Sequence, residues 1–198
     1  MVAEKKRLNF ATVCSSNMNR SMEAHKQLLH SGFNVTSFGT GTNVRLPGPS
    51  QDKPNVYEFG TPYAEILVDL QRKDENLYRN NGLIAMLQRN VNVKRAPERW
   101  QDMDQNRKLD VVLTYEERVF DAVLQDLQGR ESENMRAMHV INLETIDKHE
   151  EAVIAAQDTC QLCRMLESAA DLESEIMEVL SKFEKNSKRS FMYSLVYL

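Results

Sequence analysis

Cys14 and Arg20 stand six positions apart in Val13-Cys14-Ser15-Ser16-Asn17-Met18-Asn19-Arg20-Ser21, and what flanks them limits the fold more than any other stretch. Upstream, Leu8-Asn9-Phe10-Ala11-Thr12-Val13 is an apolar, β-branched and aromatic run of strand length. Downstream, Ser21 to Leu29 is rich in helix formers and closes at Gly32. Strand, tight loop and helix in that order set the loop amides at a positive helix end, where they cradle a phosphate. The same field favours Cys14 as a thiolate, the form that attacks. Arg20 supplies a planar fork of donors for two phosphoryl oxygens. Asn17 and Asn19 tolerate the left-handed or Asx conformations that a loop of inward amides requires. The chemistry implied is phosphoryl transfer through a cysteinyl-phosphate. The bland alternative is a buried cysteine closing an ordinary turn, with Arg20 in solvent. A nucleotide-binding loop is excluded, because neither Gly-x-x-x-x-Gly-Lys nor Gly-x-Gly-x-x-Gly is present.

A chain of 198 residues fits one domain with a real core. A net charge of −4 gives no footprint for direct nucleic-acid binding. No apolar run approaches the roughly 18 residues of a membrane span, and the charged start lacks the apolar segment of a signal peptide. Three cysteines argue for a reducing compartment rather than a disulfide scaffold. Lys5-Lys6-Arg7 and Lys188-Arg189 read as solvated charged ends rather than targeting signals.

The rest of the chain alternates strands with helices. Phe33 to Phe38 reads as a second strand, ended by Gly39-Thr40-Gly41 at the side where ligand loops collect. Thr42 to Pro62, rich in Pro, Gly and Asn, is long enough to be a functional loop. Helices are expected over Tyr63 to Tyr78 and Leu83 to Gln88, then an irregular stretch from Ala96 to Trp100. Leu109 to Thr114 is a strand, Glu116 to Leu127 a helix and His139 to Leu143 a further strand. Glu150 to Phe183 keeps a helical period, with a break expected near Ala169 to Asp171. Phe191 to Leu198 is a short strand or a packed tail. This order predicts a three-layer α/β sandwich, a mostly parallel sheet flanked by helices. We read residues 1–198 as a single domain in which an insertion at about 42–107 forms the substrate and partner side.

The stretch Cys14 to His25 closely resembles the signature of the RNA polymerase II C-terminal-domain phosphatases of mRNA 3′-end processing, eukaryotic relatives of low-molecular-weight protein tyrosine phosphatases. Further matches are Ser37-Phe38-Gly39-Thr40-Gly41, Leu46-Pro47-Gly48-Pro49, Asp52-Lys53-Pro54-Asn55-Val56-Tyr57, Pro97-Glu98-Arg99, Glu116-Glu117-Arg118-Val119 and His149-Glu150-Glu151-Ala152. The resemblance implies a nuclear hydrolase, with the cytoplasm also open, acting on phosphoserine in the heptad-repeat tail. The fifth-position serine followed by a cis proline is the chief target, and symplekin is the implied partner in the 3′-end machinery.

By the same resemblance Cys14 matches the nucleophile, Arg20 the phosphate clamp, Ser21 the hydroxyl donor to the departing thiolate and Asp147 the general acid. Ser15, Ser16, Asn17, Met18 and Asn19 match the phosphate loop, and Arg45, Leu46, Pro47 and Met86 a wall for the residues after phosphoserine. A seryl alkoxide is a poor leaving group, so a proton must reach it as the bond breaks. Position alone favours Asp147 as the N-cap of the helix near Glu150, a reading that the resemblance reverses, and Leu46 and Met86 also read as mutual packing. No cofactor or metal is implied. The chain departs from the pattern in Glu144, Lys148 and Trp100, where the family has Asp, Asn and Phe.

Rival readings remain open at this level. One is a divergent relative that binds phosphorylated tail or symplekin with little turnover. Others are a tyrosine phosphatase, or an arsenate reductase, which needs Cys160 and Cys163 beside Cys14. Cys160-x-x-Cys163 lacks the second pair of a structural zinc site and reads as helix packing. Trp100 reads equally as a docking anchor or a core residue.

Overall fold

The computed structural model of the protein describes residues 7–130 and 135–198, so Lys5 and Lys6 of the first basic run lie outside the described residues. In chain order the elements are β1 (Asn9–Cys14), α1 (Arg20–His30), β2 (Asn34–Gly39), β3 (Val44–Leu46), β4 (Asn55–Tyr57), α2 (Tyr63–Asn80), α3 (Leu83–Val91), a 3-10 turn (Trp100–Asp102), β5 (Val111–Thr114), α4 (Glu117–Gln128), β6 (Ala137–Asn142), α5 (His149–Ser168), α6 (Leu172–Ser187) and β7 (Met192–Tyr197). Five strands form the central sheet in the order β2-β1-β5-β6-β7. Cys14 pairs with Gly39, Val13 with Thr114, and Thr114 with Asn142, all in parallel. β7 alone runs antiparallel, pairing Leu195 with His139. The apolar runs of β1, β5 and β6 follow from burial on both faces.

Each face has its own core. Phe10, Leu113 and Ile141 meet Leu28 of α1, Leu162 and Leu166 of α5, and Leu180 and Phe183 of α6. On the opposite face Ala11, Val13, Val112 and Val140 meet Val119, Val123 and Leu127 of α4. The strand order reverses between β2 and β5, on either side of β1. In open α/β sheets the crevice for a ligand lies at the carboxyl ends of the strands beside such a switch. Cys14 is the last residue of β1 and occupies that place.

The long loop after β2 contains a short hairpin, β3 paired antiparallel with β4. Three-residue strands are too brief to show a period of two, so composition alone read as irregular. The hairpin turn passes so close to itself at Gly48 that a Cβ there would lie 1.6 Å from Lys53 O. With α2 and α3 the hairpin builds a third apolar cluster, in which Val44, Leu46, Tyr63, Ile66, Leu70 and Leu87 pack with Met18 and Met22. α2 kinks at Asp74, whose extended backbone breaks the helix and whose carboxylate accepts from Leu77 N at 2.9 Å.

The helical run after Glu150 breaks at Ala169 to Asp171, as its length predicts. Glu175 reaches back to accept from Ala170 N and Asp171 N at 3.0 and 2.9 Å, starting α6 afresh. Two expectations are corrected. Trp100 is not available as a docking anchor, because it is 0% exposed. It packs edge-on against Phe38, and its Nε1 donates to Asp126 at 2.9 Å. Arg189 is not a solvated end, since it pairs with Asp158 and donates to Glu144 O at 3.2 Å. Among the described residues no helix is long and apolar enough to cross a membrane.

Candidate active site

Residues 15–19 join β1 to α1 in a loop held from outside. Thr40 N donates to Cys14 O at 3.0 Å and Gly41 N to Ser15 O at 2.9 Å. Asn17 sits in the left-handed region at φ 52°, which asparagine tolerates better than most residues. Three bonds keep it there. Tyr63 OH donates to Asn17 O at 2.6 Å, Glu98 N donates to Asn17 Oδ1 at 3.1 Å, and Asn17 Nδ2 donates to Ser21 Oγ at 3.0 Å. Burial pushes the Tyr63 phenol well above its ordinary pKa, so it remains a neutral donor. Gly39 backs the loop so closely that a Cβ there would lie 2.7 Å from Ser15 O and 2.8 Å from Asn17 N. The carbonyls of Cys14, Ser15 and Asn17 are thus all engaged from outside the loop, the bonding pattern of an anion nest.

Ser21 is wholly buried beneath Cys14, with its Oγ 3.1 Å from Cys14 Sγ. Arg20 is 5% exposed and fixed in plane. Its Nη1 donates to Thr145 O at 2.9 Å and Tyr115 O at 3.3 Å, and its Nη2 to Glu116 Oε2 at 2.7 Å. Its Nε is buried without a hydrogen-bond partner and lies 3.6 Å from Asp147 Oδ1. An unspent charged donor at the floor of a cavity suits an incoming anion. Asp147 itself is 60% exposed and accepts from Asn19 Nδ2 at 2.9 Å. It does not cap α5; the N-cap position is Lys148, with no side-chain cap bond.

A cavity of about 500 Å³ joins these groups. Cys14, Ser15, Ser16, Met18, Asn19 and Arg20 form its floor, and Asp147 lies on its rim. Arg45, Leu46 and Pro47 of the hairpin and Met86 of α3 form the facing wall. Leu46 and Met86 also belong to the third apolar cluster, so packing and cavity lining are both true of them. Asn17 and Ser21 stand behind the floor. Glu144 turns away, accepting from Glu117 N at 3.0 Å and Asn142 Nδ2 at 3.1 Å. Cys160 and Cys163 lie on the buried face of α5 and neither lines the cavity; burial pushes the Cys163 thiol up, which keeps it inert. Among the described residues no group of three or more His, Cys, Asp or Glu gathers as metal ligands do.

Sequence reading missed two supports. Glu116 anchors Arg20, and its position two residues after β5, at the carboxyl end of the sheet, was the available signal. Tyr63 holds Asn17 across 46 residues, for which no local signal exists.

A sheet whose switch point carries this cysteine–arginine loop defines a class, and the chain belongs to it: the Ssu72-like protein family, whose model matches residues 8–198. The chain is 50% identical over 190 residues to the RNA polymerase II C-terminal domain phosphatase SSU72 of Danio rerio, covering 96% of this chain and 97% of the relative. The Homo sapiens protein of the same name is 49% identical over the same span and shares. Among solved structures, Drosophila melanogaster Ssu72 with symplekin, bound to a cis peptidomimetic of the polymerase tail phosphorylated at its fifth-position serine, superposes with a TM-score of 0.92 at 43% identity. That likeness covers 97% of this chain and 99% of the other.

Proposed function

We propose that this chain is a cysteine-dependent protein serine phosphatase acting on the phosphorylated C-terminal tail of RNA polymerase II, chiefly at fifth-position phosphoserine followed by a cis proline. One observation carries the chemistry: Cys14, Arg20 and Asp147, drawn from positions up to 133 apart, meet on a single cavity of phosphopeptide size. The full-length likeness to the phosphatases named above supports the substrate, and the hairpin and α3 wall supports a peptide rather than a small phosphate ester alone.

In the first step Cys14 Sγ attacks phosphorus as the bond to the seryl oxygen breaks, and Asp147 delivers a proton to that oxygen. Arg20 Nε and the loop amides take the equatorial phosphoryl oxygens and stabilise the charge that spreads over them. In the second step Asp147, now a carboxylate, accepts a proton from water as its oxygen attacks phosphorus. The sulfur departs as a thiolate, and the Ser21 hydroxyl donates to it. Charge compensation comes from Arg20 and the amides. The region from β3 to α3 forms the substrate side, the partner is symplekin in the 3′-end processing machinery, and the compartment is the nucleus, with the cytoplasm also open.

The test is phosphate release from a heptad peptide phosphorylated at the fifth-position serine, with Cys14→Ser as control. Release that disappears in the variant supports the reading. Absence of release, with tight peptide binding, would establish instead a binding relative without turnover.

A further inference from the structure

Behind the phosphate loop lies a buried ion pair that the reaction itself does not use. Arg89, near the end of α3, is 9% exposed, and its Nη1 donates to Glu23 Oε2 at 2.7 Å; Glu23, in the first turn of α1, is 3% exposed. The other edge of the guanidinium faces the loop. Arg89 Nη2 donates to Met18 O at 2.6 Å and to Asn19 O at 3.3 Å, while Asn90 Nδ2 donates to Met18 O at 2.9 Å. Arg89 Nε donates to Asn90 Oδ1 at 2.9 Å, fixing the two side chains against each other. Neither side chain lines the cavity.

We propose that Arg89, with Asn90 beside it, is a positioning residue for phosphoryl transfer: it pulls the carbonyls of Met18 and Asn19 outward and so aims the end of the loop and Arg20 at the phosphate. The inference rests on the phosphatase reading above. Burying a guanidinium is costly unless every edge is engaged, and here its edges meet a carboxylate, a side-chain amide and two loop carbonyls. Each peptide plane has its N–H opposite its C=O, so turning the Met18 and Asn19 carbonyls out turns the Asn19 and Arg20 amides in. Only a planar fork spans the carboxylate and both carbonyls at once; a lysine ammonium is a single point. Glu23 keeps its charge in this setting: burial opposes ionisation, yet the Arg89 bond and charge hold its carboxyl below the ordinary range. α3 also presents Met86 to the cavity one turn earlier, so one helix both borders the substrate and sets the loop.

The experiment compares Arg89→Lys and Arg89→Gln with the parent chain by thermal unfolding, by kcat and KM on a small aryl phosphate and on the phosphoserine peptide, and by calorimetric affinity for vanadate. The expected result is a folded protein whose kcat falls about 10–100-fold on both substrates, the scale of a misplaced reacting group. Vanadate affinity falls in parallel, and lysine fails to restore it. Folded variants with a lowered Tm but unchanged kcat and vanadate affinity would overturn the proposal, since only fold support would remain. If both Arg89 variants fail to fold, Asn90→Ala decides: a smaller loss of vanadate affinity in the same direction upholds the role, and an unchanged value overturns it. If the parent chain hydrolyses neither substrate, the phosphatase reading falls, and the vanadate comparison still judges the positioning role.

Discussion

Ser21 Oγ lies 3.1 Å from Cys14 Sγ and receives a hydrogen bond from Asn17 at 3.0 Å, so its own proton is free to point at the sulfur. A hydroxyl so directed stabilises negative charge on sulfur, and that matters most when the thiolate leaves the phosphoenzyme.

Ser21→Ala is therefore expected to slow breakdown of the cysteinyl-phosphate more than its formation. One hydrogen bond to a charged group is worth about 1.5–3 kcal/mol, or roughly 10–100-fold in rate. Rapid-quench kinetics on an aryl phosphate will show a burst followed by a slowed steady state. A uniform fall without a burst would remove the leaving-group role.

Asp147→Asn is expected to slow a phosphoserine peptide by about 10²–10⁴-fold, the range for a positioned general acid. An aryl phosphate, whose phenolate leaves without help, will lose far less. Its Nδ2 in place of an oxygen also disturbs the bond from Asn19, so Tm is measured alongside. Equal losses on both substrates would assign Asp147 to holding Asn19 and Arg20.

The wall of Leu46, Pro47 and Met86 bounds a compact space, which a cis prolyl turn is expected to fill. Unfolded X-Pro bonds are cis only about 10–30% of the time, so a free peptide presents its competent form at that fraction. A peptide locked cis after phosphoserine is expected to show a KM roughly 3–10-fold lower than the free one. A trans-locked peptide cleaved equally well would end this account of the wall.

His25 offers a pH-dependent stability. It is 7% exposed with Nδ1 2.8 Å from Ser37 Oγ. Burial first, and then the positive Lys94, push its pKa down to about 4. In the unfolded chain the imidazole takes its proton near its ordinary value of about 6.5. Between these two values the unfolded state binds more protons, so stability is fully present above about pH 6.5 and is lost as pH falls toward 4. The loss reaches up to roughly 3 kcal/mol. Urea unfolding from pH 4 to 8 will show it, and His25→Gln will flatten that part of the curve. An equal slope in the variant would move the effect to the carboxylates.

The legible parts of this chain were those with local causes. β1, its loop and α1 were readable because a strand run, a polar turn and a helical period follow one another within 25 residues, and the nucleophile needs that order. Asp147 was placed by resemblance, and its approach to Arg20 depends on β6 and the turn beyond it, which no local pattern encodes. Trp100 was ambiguous because an aromatic in an irregular stretch serves interfaces and cores alike; only the pocket formed by Phe38, Asp126 and Arg130 decides between them. Arg189 looked solvated because a charged pair near the end of a helix usually is, and its partner Asp158 lies 31 residues earlier. The hairpin after β2 escaped notice because its strands are shorter than the period they would have to display.

The crowding at Gly48 bears on how relatives of this protein can diverge. A turn that admits only hydrogen at Gly48 rejects any side chain there, so sterics at that one position help to fix the height and tilt of the wall. Arg45 and Pro47, both exposed, face no such constraint. Retuning toward a different flanking residue is thus open to single changes at those two positions, while the turn beside them must keep its glycine.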